Sequence, residues 1–361
     1  MKISKLARRL GLLIVFAALL VVAESPDASA QTTSYYWKDQ QGNGRWFWGG
    51  NQWYVGGGGE TGSPDSSGGG IFYFQGNGTT TTYINSGFTG GWFKLNSIYL
   101  DSGSSGRSYS IQTENGGTGI ELYNKIETLS GSGTLAINCE TQLGANAEIN
   151  AVGNSITLGA LRMNGYTLNS YGANSLNITG VISGTGTYNI KNQGITVTYS
   201  GSGANTFSGA TTVENSSTLT LNKSANTAAI AGALTINSGA TLNTSQANQL
   251  NNQLVTVNGR FNMNNNSQSF ALAGAGTVSM GSATLTNNST GGDTFSGKLT
   301  GTGALIKNNT GTLTLSGTGN DYSGGTTVAG GILRAASIGS GGLTLNSGTF
   351  AANDGTARTF T

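Results

Sequence analysis

Histidine is absent from all 361 residues of this chain. That excludes Ser-His-Asp and Cys-His catalysis, together with any His-ligated zinc or iron site. Carboxylates are sparse: Glu114, Glu121 and Glu127 form the densest group, and no Asp pair recurs at a fixed interval. Glycoside hydrolysis needs two carboxyls within a few ångströms of each other. Nothing in the spacing favours bringing Glu121 to Glu140, so no catalytic residue is assigned. Cys139 is the only cysteine, which rules out an intramolecular disulfide. Its neighbours Leu135, Ala136 and Ile137 are apolar, and it reads as a quiet, partly buried thiol. The calcium-binding Gly-Gly-x-Gly-x-Asp motif and a Walker Lys-Ser/Thr are both missing, so no metal and no cofactor is expected.

Aromatic residues offer a different chemistry. Trp37, Trp46, Trp48 and Trp53 lie close together, with Tyr35, Tyr36, Phe47 and Tyr54 among them. Such rings stack on sugar faces, which would make a glycan-binding patch. They also plug open ends of β structures by burying area that would otherwise leave a ladder edge exposed. The plug is the preferred reading.

The N-terminus carries Lys2, Lys5, Arg8 and Arg9, then an uncharged apolar run over 10–23 and a closing Ala28-Ser29-Ala30. These are the three regions of a signal peptide cleaved after Ala30. The run has roughly 14 residues where a spanning helix needs about 20. The mature chain is therefore expected to be exported, to the medium or the cell surface, with no integral membrane span. Of 17 basic and 15 acidic residues, the leader holds four and two, which leaves 13 of each. A neutral mature chain gives no basic face for nucleic acid or anionic lipid.

The elements that position these residues are short alternating pairs: Leu135/Ile137, Ile156/Leu158, Leu176/Ile178, Ile195/Val197, Leu219/Leu221, Leu234/Ile236, Val255/Val257, Leu313/Leu315 and Leu343/Leu345. Alternation with period two is the signature of a strand with one buried face. No segment after residue 30 has a convincing helical stripe; 224–233 and 245–250 come nearest, as short helical turns at corners. The second members of the pairs recur at intervals near 20 residues, with 221→236 short at 15. Two or three short strands with tight corners fill one rung of a parallel β-solenoid in about that length. A sandwich, with strands every 8–12 residues, is the weaker alternative; Asn164-Gly165, Asn258-Gly259 and Asp354-Gly355 would supply its hairpins.

A residue-level repeat supports the solenoid. Gly184-Thr-Gly186 precedes Phe207-Ser-Gly-Ala-Thr-Thr-Val213, Gly274-Ala-Gly276 precedes Phe295-Ser-Gly297, and Gly301-Thr-Gly303 precedes Tyr322-Ser-Gly-Gly-Thr-Thr-Val328. The glycines are corners with positive φ, and each aromatic sits just before a Ser-Gly corner as a stacked core or cap residue. The run from Gly301 to Leu333 closely resembles the autotransporter-associated β-strand repeat, found in passenger regions of bacterial secreted or autotransported proteins. The copy at 184–221 is looser, and the copy at 274–299 lacks the Thr-Thr-Val.

The resemblance implies a parallel β-helix of a surface passenger. The expected organisation is a signal peptide over 1–30, an aromatic- and Gly-rich cap over 31–119, and a β-helix over 120–361. The architecture is all-β, a right-handed single-stranded parallel β-helix of about 12 coils at ~4.8 Å each. Because the chain stops at Arg358-Thr-Phe-Thr361 without a polar cap, it is expected to continue beyond this end. The function expected is structural and adhesive, without catalysis, toward extracellular polysaccharide or neighbouring cell surfaces. The alternatives are a β-helix polysaccharide lyase or hydrolase, and an N-terminal glycan-binding module.

Overall fold

The computed structural model describes residues 34–37, 53–55, 59–61, 69–75, 81–84, 92–101, 108–113, 119–130, 133–191 and 193–352. Every regular element among them is a strand, 35 in all. Nearly all pair in parallel with the strand one coil away. The exceptions are the two antiparallel pairs that join Ser34–Trp37, Trp53–Val55 and Gly59–Thr61. The result is a parallel β-solenoid of about 11 coils, consistent with an 11-stranded sheet along one wall and a 20-stranded sheet along another. A four-stranded sheet forms a third side, from Gly292–Phe295 to Thr349–Ala352.

The core is a set of stacked columns. Leu135, Ile156, Leu176, Val197, Leu219, Leu242, Phe261, Val278 and Leu299 are register partners on nine successive rungs of the 11-stranded wall. All nine side chains are fully buried. Burying each contributes about 1.5–3 kcal/mol, and their register partners lie on the coils directly above and below, so stability is built coil by coil.

Coil length is not constant. Residues bonded across one step are 17 apart at Asn265/Ser282 and 23 apart at Asn177/Ser200. This variation corrects the sequence-derived columns at two points. The partner of Leu219 is Val197 and that of Leu221 is Tyr199, so the pair Ile195/Val197 is one rung position too early. The short 221→236 interval joins two different walls: Leu221 pairs in the 11-stranded sheet, while Ile236 pairs with Val213 and Val257 in the 20-stranded one.

The corners at 224–233 and 245–250 are loops and not helical turns. Asn226 and Asn248 have φ of 60° and 53°, outside the helical region. The two loops stack, with Asn248 Nδ2 donating to Asn226 Oδ1 at 2.7 Å and a parallel bridge joining Ile230 to Leu250. At Asn164-Gly165 both residues have positive φ, yet the flanking strands Leu161–Arg162 and Thr167–Tyr171 pair with other coils and make no hairpin with each other. Asp354-Gly355 lies outside the described residues.

Parallel stacking reaches N-terminal to residue 120. Gly119–Ser130 pairs with Phe93–Asp101, that strand with Ile71–Gln75, and Ile71–Gln75 with Ser34–Trp37. The antiparallel meander thus adjoins the first strand of a ladder that runs on into the repeats.

The Phe/Tyr-Ser-Gly motif has a steric cause. Phe207, Phe295 and Tyr322 are buried in the core. A Cβ on Gly297 would lie 2.6 Å from the Phe295 ring and 1.9 Å from the carbonyl oxygen of Gly276 on the preceding coil. Gly209 shows the same two obstructions, from Phe207 and from Gly186. At these two corners the Phe ring fits only if the residue two positions on has no side chain; at Gly324 the obstruction is the Gly303 backbone, 2.5 Å from a Cβ.

Candidate functional site

The two long walls carry different outer faces. On the 11-stranded wall the outward column runs through Thr157, Asn177, Thr198, Thr220, Asn243, Asn262, Ser279 and Thr300. Beside it stand Ser175, Thr196, Thr218, Thr241, Arg260, Thr277 and Lys298. Rungs are spaced ~4.8 Å apart, so like side chains meet: Asn262 Nδ2 donates to Asn243 Oδ1 at 2.9 Å, and the Ser155 and Ser175 hydroxyls share a hydrogen bond of 2.8 Å. Arg260 and Lys298 are the only charged side chains in these two columns.

The 20-stranded wall concentrates charge and aromatic rings over its N-terminal coils. Lys94 pairs with Glu121 at 3.9 Å, Lys125 with Glu127 at 3.6 Å, Arg162 with Glu140 at 3.0 Å and Lys191 with Glu214 at 2.7 Å. The Arg162 guanidinium also sits 5.7 Å from the centre of the Trp92 ring, in cation–π range. Tyr73 and Tyr99 stack at 4.9 Å with 12° between their planes. Tyr171 donates to Glu148 at 3.3 Å; burial first and the Glu148 charge second raise its phenol pKa. Half-buried Tyr123 lies against Glu121, and its phenol is likewise raised, by burial and then by that carboxylate.

The sequence-derived site residues fall as follows. Trp37 and Trp53 are backbone partners across the antiparallel pair at the N-terminal end of the ladder. Trp46 and Trp48 lie outside the described residues, as does Glu114. Glu121 and Glu140 are not register partners: Glu121 stands opposite Gln142 and Glu140 opposite Gly119. Each lies against a cation instead, Glu121 against Lys94 and Glu140 against Arg162. Among the described residues no three His, Cys, Asp or Glu side chains converge as metal ligands. Cys139 is 5% exposed, and desolvation pushes its thiol up to about 12, which matches a quiet buried thiol.

Sequence reasoning passed over two groups. Trp92 is the one tryptophan outside the N-terminal cluster, and its place directly before the alternating Phe93-x-Leu95 was the available signal. Two lysines are fully buried, Lys223 and Lys307. Lys223 Nζ donates to the carbonyls of Gly180 and Ser200, both at 3.0 Å. Lys307 Nζ donates to Asn308 O, and to Asn309 O at 3.1 Å. Burial lowers the pKa of both, and for Lys307 the Asp293 carboxylate acts in the opposite direction. Their inward placement follows from alternation alone, each extending a buried i, i+2 row.

With the coils and faces in place, comparison with known proteins bears on the repeats. Residues 305–335 match the passenger-associated-transport-repeat family. This stretch overlaps the Gly301–Leu333 run that resembles the autotransporter repeat, and it begins and ends with the strands Leu305–Lys307 and Ile332–Ala335. The chain is also similar to the adhesin BmaC autotransporter of Brucella suis biovar 1 (strain 1330), with 31% identity over 231 residues, or 61% of this chain. The match covers 7% of that adhesin's length. No solved structure matches the chain.

Proposed function

We propose that this chain is an adhesive passenger segment of the bacterial cell surface, without catalytic activity, exported through a leader cleaved after Ala30. The observation that carries the reading is the pair of long outer faces on a repeat-built ladder: one lined mainly with hydroxyl and amide groups, the other ionic and aromatic over its N-terminal coils. Faces that repeat on every coil provide many weak contacts at once, and avidity multiplies them. The similarity to an autotransporter adhesin supports this use, and so does the passenger repeat. Extracellular polysaccharide and neighbouring cell surfaces are the partners proposed. No helix among the described residues is long and apolar enough to cross a membrane.

The aromatic cluster around Trp37, Trp46, Trp48 and Trp53 is proposed as an N-terminal cap, within the segment 31–119 that leads into the coils. Replacing Trp46 and Trp48 by Ala discriminates: loss of folding supports the cap, while an intact fold with lost sugar retention supports a glycan-binding module. The experiment on the main reading is binding of the purified mature chain to a glycan array and to whole cells, with reducing-end release assayed on every hit. Retention without release is the expected result. Release of reducing ends from any polymer would overturn the non-catalytic reading, and absence of retention on both glycans and cells would overturn the adhesive one.

A further inference from the structure

One corner of the solenoid forms a groove with a single uncompensated charge. It is built from three equivalent tripeptides on successive coils, 239–241, 258–260 and 275–277, each leading into the hydroxyl-lined wall, and is an open depression of about 320 Å³. That volume is at the lower end of small-molecule sites. The floor is glycine by necessity. A Cβ on Gly259 would come 2.4 Å from Ala240 O, and one on Gly276 would come 2.1 Å from Gly259 O. Glycine at these positions lets successive coils approach this closely beneath the groove.

Arg260 stands at the centre, between Thr241 on the coil before and Thr277 on the coil after. It is exposed, and no carboxylate among the described residues lies within ion-pair distance. This sets it apart from its surroundings. The next cation in the same column, Lys298, is held by Asp321 at 2.8 Å. At the groove's rim Asn258 Oδ1 accepts from Ala275 N at 3.2 Å, and its amide N–H groups have no partner among the described residues. The groove thus presents a guanidinium, two hydroxyls and an amide donor, with no anion of its own.

We propose that this groove binds a carboxylate-bearing sugar unit of an acidic polysaccharide, with Arg260 holding the carboxylate and Thr241, Thr277 and Asn258 bonding the ring hydroxyls. The proposal rests on the adhesive reading and names its ligand class. An acidic peptide fits less well, because acidic motifs are held by clusters of arginines, and other peptides dock on unpaired strand edges or in apolar pockets, whereas this groove has Arg260 alone. Here the backbone is already used: Arg260 N bonds Ala240 O at 3.0 Å and Thr277 N bonds Gly259 O at 2.9 Å. The lining offers only the methyl groups of alanine and threonine as apolar surface.

Affinity electrophoresis of the native mature chain through gels containing polygalacturonate, dextran or polyglutamate tests this. Retardation by polygalacturonate and not by dextran is expected. In Arg260→Gln it should weaken about tenfold, the loss of one charge-assisted contact, with an unchanged far-UV circular dichroism spectrum. Arg260→Lys, which keeps the charge but not the bidentate fork, should lie between. Undiminished retardation of Arg260→Gln by polygalacturonate would overturn the proposal. Stronger retardation by polyglutamate would overturn it in favour of a peptide site. If polygalacturonate does not retard the native chain while whole cells still retain it, the groove assignment fails and the adhesive reading stands; if neither binds, both fail.

Discussion

Replacing Gly297 by Ala should unfold the repeat region at lower denaturant, and the structure sets the size of the effect. The new methyl would sit 1.9 Å from Gly276 O, where ordinary contact begins at 3.4 Å. The coils must part there by roughly 1.5 Å, about a third of the ~4.8 Å spacing between strands. That movement breaks the hydrogen bond from Lys298 N to Gly276 O, now 2.9 Å long, at a cost of about 1 kcal/mol. The methyl also meets the Phe295 ring at 2.6 Å, and overpacking of a buried ring adds about 1–3 kcal/mol. A total near 3 kcal/mol is expected. Gly291→Ala is the control. Nothing lies within 4 Å of its Cβ and its φ is not in the left-handed region, so it should be neutral or stabilise by up to about 1 kcal/mol through the unfolded chain. Urea unfolding of the two variants, followed by far-UV circular dichroism, measures the difference. Equal midpoints for Gly297→Ala and Gly291→Ala would refute the claim that the Phe/Tyr-Ser-Gly corner excludes a side chain.

Three further outcomes follow from other sites. Cys139 has its thiol raised from an ordinary 9.0 to about 12; the folded state therefore keeps a proton that the unfolded chain releases. Its contribution is full below pH 9 and is lost as pH rises toward 12, so stability should fall with pH more steeply in the native chain than in Cys139→Ala, by up to ~1.4 kcal/mol per pH unit. Thermal melts between pH 8.5 and 11 give this slope. Asn248 occupies φ 53° and bonds Asn226. Asn248→Val should cost about 1–2 kcal/mol or more and Asn248→Gly much less, read from urea midpoints; equal losses would mean that the hydrogen bond and not the backbone angle matters. Glu140→Gln leaves Arg162 over Trp92 but removes a part-exposed ion pair, so a change in stability below about 1 kcal/mol is expected, shrinking in high salt.

Alternation and glycine spacing were legible because they are local. Leu135-x-Ile137 or Leu313-x-Leu315 needs no partner to declare a buried face, and a recurrence near 20 residues with Gly corners leaves few architectures other than stacked coils. The repeat at Gly301–Leu333 belonged to the same level, since one coil of a solenoid is a contiguous piece of chain. Lys223 was legible in principle as well, being the inward position after Leu219 and Leu221.

What the tertiary structure decided is which residues share a column. Register partners on adjacent coils are as close as 17 residues at Phe261/Val278 and as far as 29 at Thr81/Ser110, and the sequence does not mark which corner absorbs the difference. Leu221 and Ile236 look like successive members of one row and lie on different walls. For the same reason the segregation of charge was hidden. Lys94 and Glu121 are 27 positions apart, and Arg162 and Glu140 are 22 apart, yet each pair meets on one face because whole coils separate them. Arg260 in sequence is one basic residue among 17. Only stacking shows it between Thr241 and Thr277 with no carboxylate in reach, because parallel pairing turns sequence distance into a neighbour relation that composition does not carry.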